Sequence, residues 1–140
     1  MTTTFVLLLS LLACSKDPLN GTAEAYFAIP FELRIGRTVI FSKDSKELTI
    51  SMISVTDSRC PINANCISAG NALVKLRLSD NSGSEVFTEL CLGQCETLGS
   101  DTKQVILSNI NYLIILKKVE PYPVINGSNE KKALLLIRKL

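Results

Sequence analysis

The chain has 140 residues, 46% of them hydrophobic and 20% charged, with a net charge of +2 and no Lys/Arg block set apart from the acidic residues. That length supports one domain with its own core, and the charge pattern lacks the basic footprint of a nucleic-acid binder. There is no His and no Trp, which removes the usual neutral-pH general base and the commonest metal ligand and leaves little for an aromatic stacking platform.

The N-terminus reads as an address. Phe5 through Leu12 form an apolar run, shorter than the roughly 20 residues of a spanning helix but suited to the core of a signal peptide. Leu11-Leu12-Ala13-Cys14 resembles a bacterial lipobox, with Leu at −3, a small residue at −1 and the obligatory Cys at +1. The resemblance implies a signal peptide over residues 1–13, cleavage before Cys14, and lipid on its thiol and new amine. Several acyl chains on one residue anchor stably where a single chain is marginal. Met1-Thr2-Thr3-Thr4 departs from the pattern in carrying no Lys or Arg. Ser15, directly after the lipidated position, favours outer-membrane sorting by analogy with known lipoproteins. Residues 14–28 then read as a polar tether and 29–140 as the folded domain.

The domain is a succession of short alternating runs separated by Gly, Asn, Asp and Ser, an all-β signature. Phe31, Leu33 and Ile35 alternate with Glu32 and Arg34; after Gly36-Arg37, Thr38-Val39-Ile40-Phe41 resumes. Leu48, Ile50 and Met52 alternate until the phase slips to Ile53 and Val55, which predicts a bulge bending the strand near a sheet edge or corner. Beyond residues 57–70, Ala72, Val74, Leu76 and Leu78 alternate with charged neighbours, and Asp80-Asn81-Ser82-Gly83 predicts a hairpin turn into Val86, Thr88 and Leu90. Val105-Ile106-Leu107 follows a polar stretch, and Tyr112 through Leu116 is a nearly continuous apolar run that reads as a strand buried on both sides. Pro121 and Pro123 end it. Ala133 through Ile137 closes the chain, its Glu130-Lys131-Lys132 lead also compatible with a helix. About eight mostly antiparallel strands on this spacing fit a β-sandwich or a small barrel.

Five cysteines are present. With Cys14 lipidated, Cys60, Cys66, Cys91 and Cys95 remain, an even number in an oxidising compartment. Local pairing, Cys60 with Cys66 and Cys91 with Cys95, closes two turns with the least rearrangement, while the spacing leaves cross-loop pairing open. A four-thiolate zinc site is the sharper alternative. Five and three intervening residues fit it poorly, since structural zinc knuckles carry about two to four in each. Neither pair is Cys-x-x-Cys, so a redox centre is not indicated. Asp57 and Arg59 invite a reading as a charged recognition pair, with Asn63 and Asn65 on the same possible interaction loop. The plainer reading has Asp57 accepting backbone N–H bonds in the turn and Arg59 bracing the loop. Calcium would want several carboxylates close together, and only Asp57 is there.

Two landmarks are similar to those of a family of small lipoproteins from Gram-negative bacteria. One is Asp57-Ser58-Arg59-Cys60-Pro61, a second Cys six residues after the first, and Ala69-Gly70-Asn71-Ala72 leading into a strand; the other is Tyr112 through Val119 ending in Pro121-Tyr122-Pro123. The resemblance spans roughly residues 30–140 and implies a compact, mostly β, lipid-tethered domain, with no activity to carry over. Cys91 and Cys95 are not among its shared features. The expectation is therefore a lipid-anchored protein of the bacterial cell envelope, placed at the outer membrane. It binds membrane through Cys14, presents disulfide-closed loops to an envelope partner, and uses no cofactor. A protease inhibitor offering Arg59 on the Cys60–Cys66 loop is the alternative. An enzyme is not expected, because no Ser-containing elbow or His is present.

Overall fold

The computed structural model describes residues 22–43 and 46–140; Cys14 and the lipobox lie outside the described residues. Nine strands follow in order: β1 (Thr22–Glu24), β2 (Phe31–Arg34), β3 (Thr38–Lys43), β4 (Lys46–Asp57), β5 (Asn71–Asp80), β6 (Glu85–Gly93), β7 (Thr102–Leu107), β8 (Ile110–Glu120) and β9 (Lys132–Lys139). They form a five-stranded sheet, β1-β3-β4-β5-β6, and a four-stranded sheet, β2-β9-β8-β7. Every pairing is antiparallel except β1 with β3. The sheets do not close on one another, so of the two architectures compatible with the sequence the sandwich is the one formed.

The core is built from the alternate residues that each strand turns inward. From the larger sheet come Val39, Phe41, Leu48, Ile50, Met52, Val74, Leu76, Leu78 and Leu90; from the smaller, Leu33, Val105, Leu107, Ile114, Leu116, Leu135 and Ile137. Aromatic rings fill one side, with Phe27 4.9 Å and Phe31 5.1 Å from the Phe41 centroid. The terminal run, which by sequence also suits a helix, is β9. It lies between β2 and β8 because Leu135 and Ile137 point inward while Leu134 and Leu136 face the other way.

Three expectations are corrected. The folded chain begins before residue 29: β1 pairs with β3, Ala25 is buried, and Phe27 packs on the core. This is hidden in the sequence because β1 is three residues long with every side chain exposed, so backbone pairing holds it without any apolar pattern. The run Tyr112 to Leu116 is not buried on both sides. Tyr112, Ile114 and Leu116 face the core, while Leu113 and Ile115 are half-buried on the outer face, where Ile115 pairs with Leu136. Finally, the bulge in β4 falls between Met52 and Ser54, within an interior strand rather than at a sheet edge. It accommodates the phase slip by leaving Ile53 exposed and returning Val55 to the core side.

The end of the sandwich formed by the β5–β6 and β7–β8 turns is organised by Asp80. Its carboxylate accepts hydrogen bonds from the Ser82 N–H (2.9 Å), the Ser82 hydroxyl (2.6 Å), the Ser84 N–H (3.2 Å) and the Ser108 hydroxyl. The Ser108 and Ser82 bonds lower its pKa to about 2. The opposite end carries the cysteine loops.

Candidate functional site

At the cysteine end the β4 bulge decides which side chains enter the molecule. Before it the inward residues are Leu48, Ile50 and Met52; after it they are Val55, Asp57 and Arg59. Asp57 lies opposite the fully buried Ala72, and Val55 opposite Val74. Without the extra residue, Ser54, Thr56 and Ser58 would occupy those positions, since a shift of one residue exchanges the two faces of a strand. Asp57 and Arg59 therefore stand where the apolar row of β4 runs out, between the two sheets.

There they close the end of the core. Asp57 and Arg59 side chains are 3% and 8% exposed. The guanidinium meets the carboxylate through two bonds, Nε to Oδ1 at 2.8 Å and Nη2 to Oδ2 at 2.7 Å, the planar fork that arginine alone supplies. Nη2 also donates to the Val119 carbonyl of β8 at 2.8 Å, which ties the two sheets together. The Tyr122 ring covers the guanidinium at 4.3 Å. Lys131, just before β9, completes a triad: Nζ lies 3.0 Å from Asp57 Oδ2 and donates to the Pro121 carbonyl at 2.7 Å. Burial raises the Asp57 carboxyl, but hydrogen bonds from Arg59 and Lys131, with the Arg59 charge, outweigh it and hold the group below its ordinary value. Among the described residues no buried side-chain polar atom lacks a partner.

The loop beyond Arg59 is stiff. Its base continues the β4–β5 ladder, with Ser58 N–H donating to the Asn71 carbonyl and Cys60 N–H to the Ala69 carbonyl, each at 2.8 Å. Cys60–Cys66 closes the tip and Cys91–Cys95 closes the neighbouring turn, the local pairing of the three that the spacing allows. All four sulfurs are thereby committed to each other. Gln94 hooks the two loops together: its N–H donates to the Gly70 carbonyl at 3.0 Å, and its carbonyl accepts from Asn71 Nδ2 at 2.9 Å. Gly70 permits this approach. Its φ is +70°, and a Cβ there would lie 2.0 Å from the Ser58 carbonyl oxygen. Gly93, also at positive φ, would bring a Cβ to 2.8 Å from the Gly70 carbonyl.

A third loop, residues 121–131, leans on the first. Ile62 N–H donates to the Pro123 carbonyl at 3.1 Å, and Ile125 N–H to Asn63 Oδ1 at 2.9 Å. The two sequence landmarks, around residues 57–72 and 112–123, thus meet in space through Arg59, Val119, Tyr122 and Asn63. Nothing in either segment alone signals this, because their separation of about 60 residues is bridged only by the packing of one sheet on the other.

Of the candidate interaction residues, Asp57 and Arg59 are turned inward and form an internal brace. An arginine so held is not offered to a protease pocket. Asn63 spends its carbonyl oxygen on Ile125 and Asn65 is exposed. What the end does offer outward is apolar: Ile62, Ile67, Tyr122, Val124 and Ile125 are all exposed. A cleft of about 490 Å³ borders the same end between Arg34, Arg37, Lys131 and Lys132. Its two lysines are already paired, Lys131 with Asp57 and Lys132 with Glu32. Among the described residues no cluster of His, Cys, Asp and Glu is placed to hold a metal ion. Comparison of the chain with family models, with curated proteins and with solved structures returned no match.

Proposed function

We propose that this chain is a lipid-anchored protein of the bacterial cell envelope, similar to the small Gram-negative lipoproteins its landmarks resemble. In this reading it is a non-catalytic binding or structural module, and the disulfide-closed end is its working surface. The observation that carries the reading is the construction of that end. Two disulfides, a buried Asp57–Arg59–Lys131 triad and two inter-loop hydrogen-bond pairs hold an outer face of exposed apolar side chains. Rigid loops with exposed apolar residues mark interaction sites, and a surface ordered before binding loses less entropy on contact. Two disulfides in one small domain accord with an exported, oxidising location, and the lipobox at Cys14 supplies the anchor.

The test is made on the chain expressed with its own N-terminus in a Gram-negative host. Mass spectrometry of the N-terminal peptide should find cleavage before Cys14 and acyl chains on it. Cys14→Ser should move the protein out of the membrane fraction. An unmodified N-terminus in a freely soluble wild-type protein would sink the reading.

A further inference from the structure

The two loops at the disulfide end are almost free of charge. Residues 58–70 and 121–129 contain one charged side chain between them, Arg59, in a chain that is 20% charged, and Arg59 is buried. Five large apolar side chains stand out from these loops: Ile62, Ile67, Tyr122, Val124 and Ile125, with Ile62 73% exposed and Ile67 fully so. The hydrogen bonds joining residues 62 and 63 to 123 and 125 hold the two loops side by side. The charges flanking these stretches in sequence are Asp57, Glu120, Glu130 and Lys131, of which Asp57 and Lys131 are paired with each other, and Glu96 lies on the adjoining second disulfide turn. An uncharged apolar tip above a charged base has the distribution of a surface that enters the headgroup region of a bilayer, where a Tyr beside aliphatic residues is also favoured.

The described chain begins with a strand whose start is directed toward the same end. β1 runs parallel to β3, with Thr22 level with Thr38, which pairs with Ser51 of β4. β4 runs from there toward the disulfide end and β1 runs away from it, so the start of β1 points toward the loops. At strand spacing the level of Thr22 lies roughly 27 Å from the rung joining Cys60 to Ala69. Eight residue steps separate Thr22 from Cys14, a contour of at most about 26–29 Å. Drawn out fully toward the loops, that length would bring Cys14 about to the level of the loop base, and its acyl chains would extend from there toward the tip.

We infer that the apolar tip made by Ile62, Ile67, Tyr122, Val124 and Ile125 docks on the lipid surface that holds the anchor, so that the domain lies with its disulfide end against the membrane. This rests on the lipid-anchored reading and names the bilayer as what the working surface meets. Because the five side chains of the tip are apolar and uncharged, the contact depends little on ionic strength or on lipid charge.

The absence of Trp from the chain allows a single reporter. The chain from Cys14 onward is coupled through that thiol to a maleimide phosphatidylethanolamine in vesicles of phosphatidylethanolamine and phosphatidylglycerol. One form carries Ile67→Trp at the tip and another Asn81→Trp in the opposite turn. The tip reporter should shift to the blue on the vesicles and be quenched by brominated lipid, equally at low and high salt, while the Asn81→Trp reporter should do neither. Adding Ile62→Ser and Ile125→Ser to the Ile67→Trp form should abolish the shift; both positions are exposed, so the fold is retained. Solvent-like emission from the tip, a shift that disappears in salt, or a shift that appears only when an envelope protein is added would overturn the inference. Chemical coupling replaces natural lipidation here, so a failure of this experiment is separate from a failure of the anchor itself, which the mass spectrum of Cys14 reports.

Discussion

Asp57 is held by two cations and lies 3% exposed, so its replacement leaves both without a counter-charge in a buried place. Removing one partner of a buried ion pair costs about 3–5 kcal/mol, and Asp57→Ala is expected to lose stability in that range by urea denaturation at pH 7. Arg59→Met should lose less, because Lys131 still faces Asp57. The same carboxyl gives a pH dependence. Its folded pKa lies below the ordinary 3.8, so below about pH 4 the unfolded chain takes up the proton first and stability falls as pH drops through the folded value. Asp80, lowered to about 2, titrates in the same direction. Urea midpoints measured from pH 5 down to pH 2 should therefore decline in the wild type and decline less steeply in Asp57→Asn; equal slopes would argue against a lowered Asp57. The residue types of this brace were visible in the sequence, and the bracing role of Arg59 is the plainer of its two readings. Its partners Val119, Tyr122 and Lys131 were not, because they come from β8 of the other sheet and from the loop between β8 and β9, far away in the chain.

At the level of elements the β4 bulge and the Gly70 turn act together. The bulge turns Asp57 and Arg59 inward, and Gly70 lets the returning strand pass against Ser58. Gly70→Ala would place a Cβ on the Ser58 carbonyl and force a side chain into left-handed backbone, a loss expected to exceed about 2 kcal/mol. Thermal unfolding read against Gly83→Ala separates the two contributions. Gly83 also has positive φ but meets no atom within 4 Å of its Cβ, so it reports backbone strain alone; equal losses at the two sites would show that the close approach at Gly70 is relaxed. The alternation along β4 shows the phase slip directly. Which face the later residues take required β5, because only the Val55–Val74 pairing defines the inner side.

For the whole molecule, the boundary of the fold is the quantity the structure moves. Phe27 lies 4.9 Å from Phe41 and 6.1 Å from Tyr112, centroid to centroid, so it joins the segment after β1 to both sheets. Phe27→Ala is expected to cost about 2 kcal/mol, below the range for a fully buried ring because the side chain is only partly enclosed. A chain begun at residue 29 should be destabilised further through loss of β1. If that truncation matches the full domain in chemical denaturation, residues 22–28 are dispensable and the earlier boundary is wrong.

The strands from β2 to β8, the turn at Asp80 and the all-β class were determined by the sequence alone, because period-two alternation and turn-forming residues act over a few neighbouring positions. The local disulfides were its simplest reading for the same reason. Sheet order, the membership of β1, the one-sided burial of Tyr112 to Leu116 and the meeting of the two landmarks were decided by tertiary structure. Each depends on which backbone edge or apolar face finds a partner far away in the chain, and that choice is made by the energy of the assembled core.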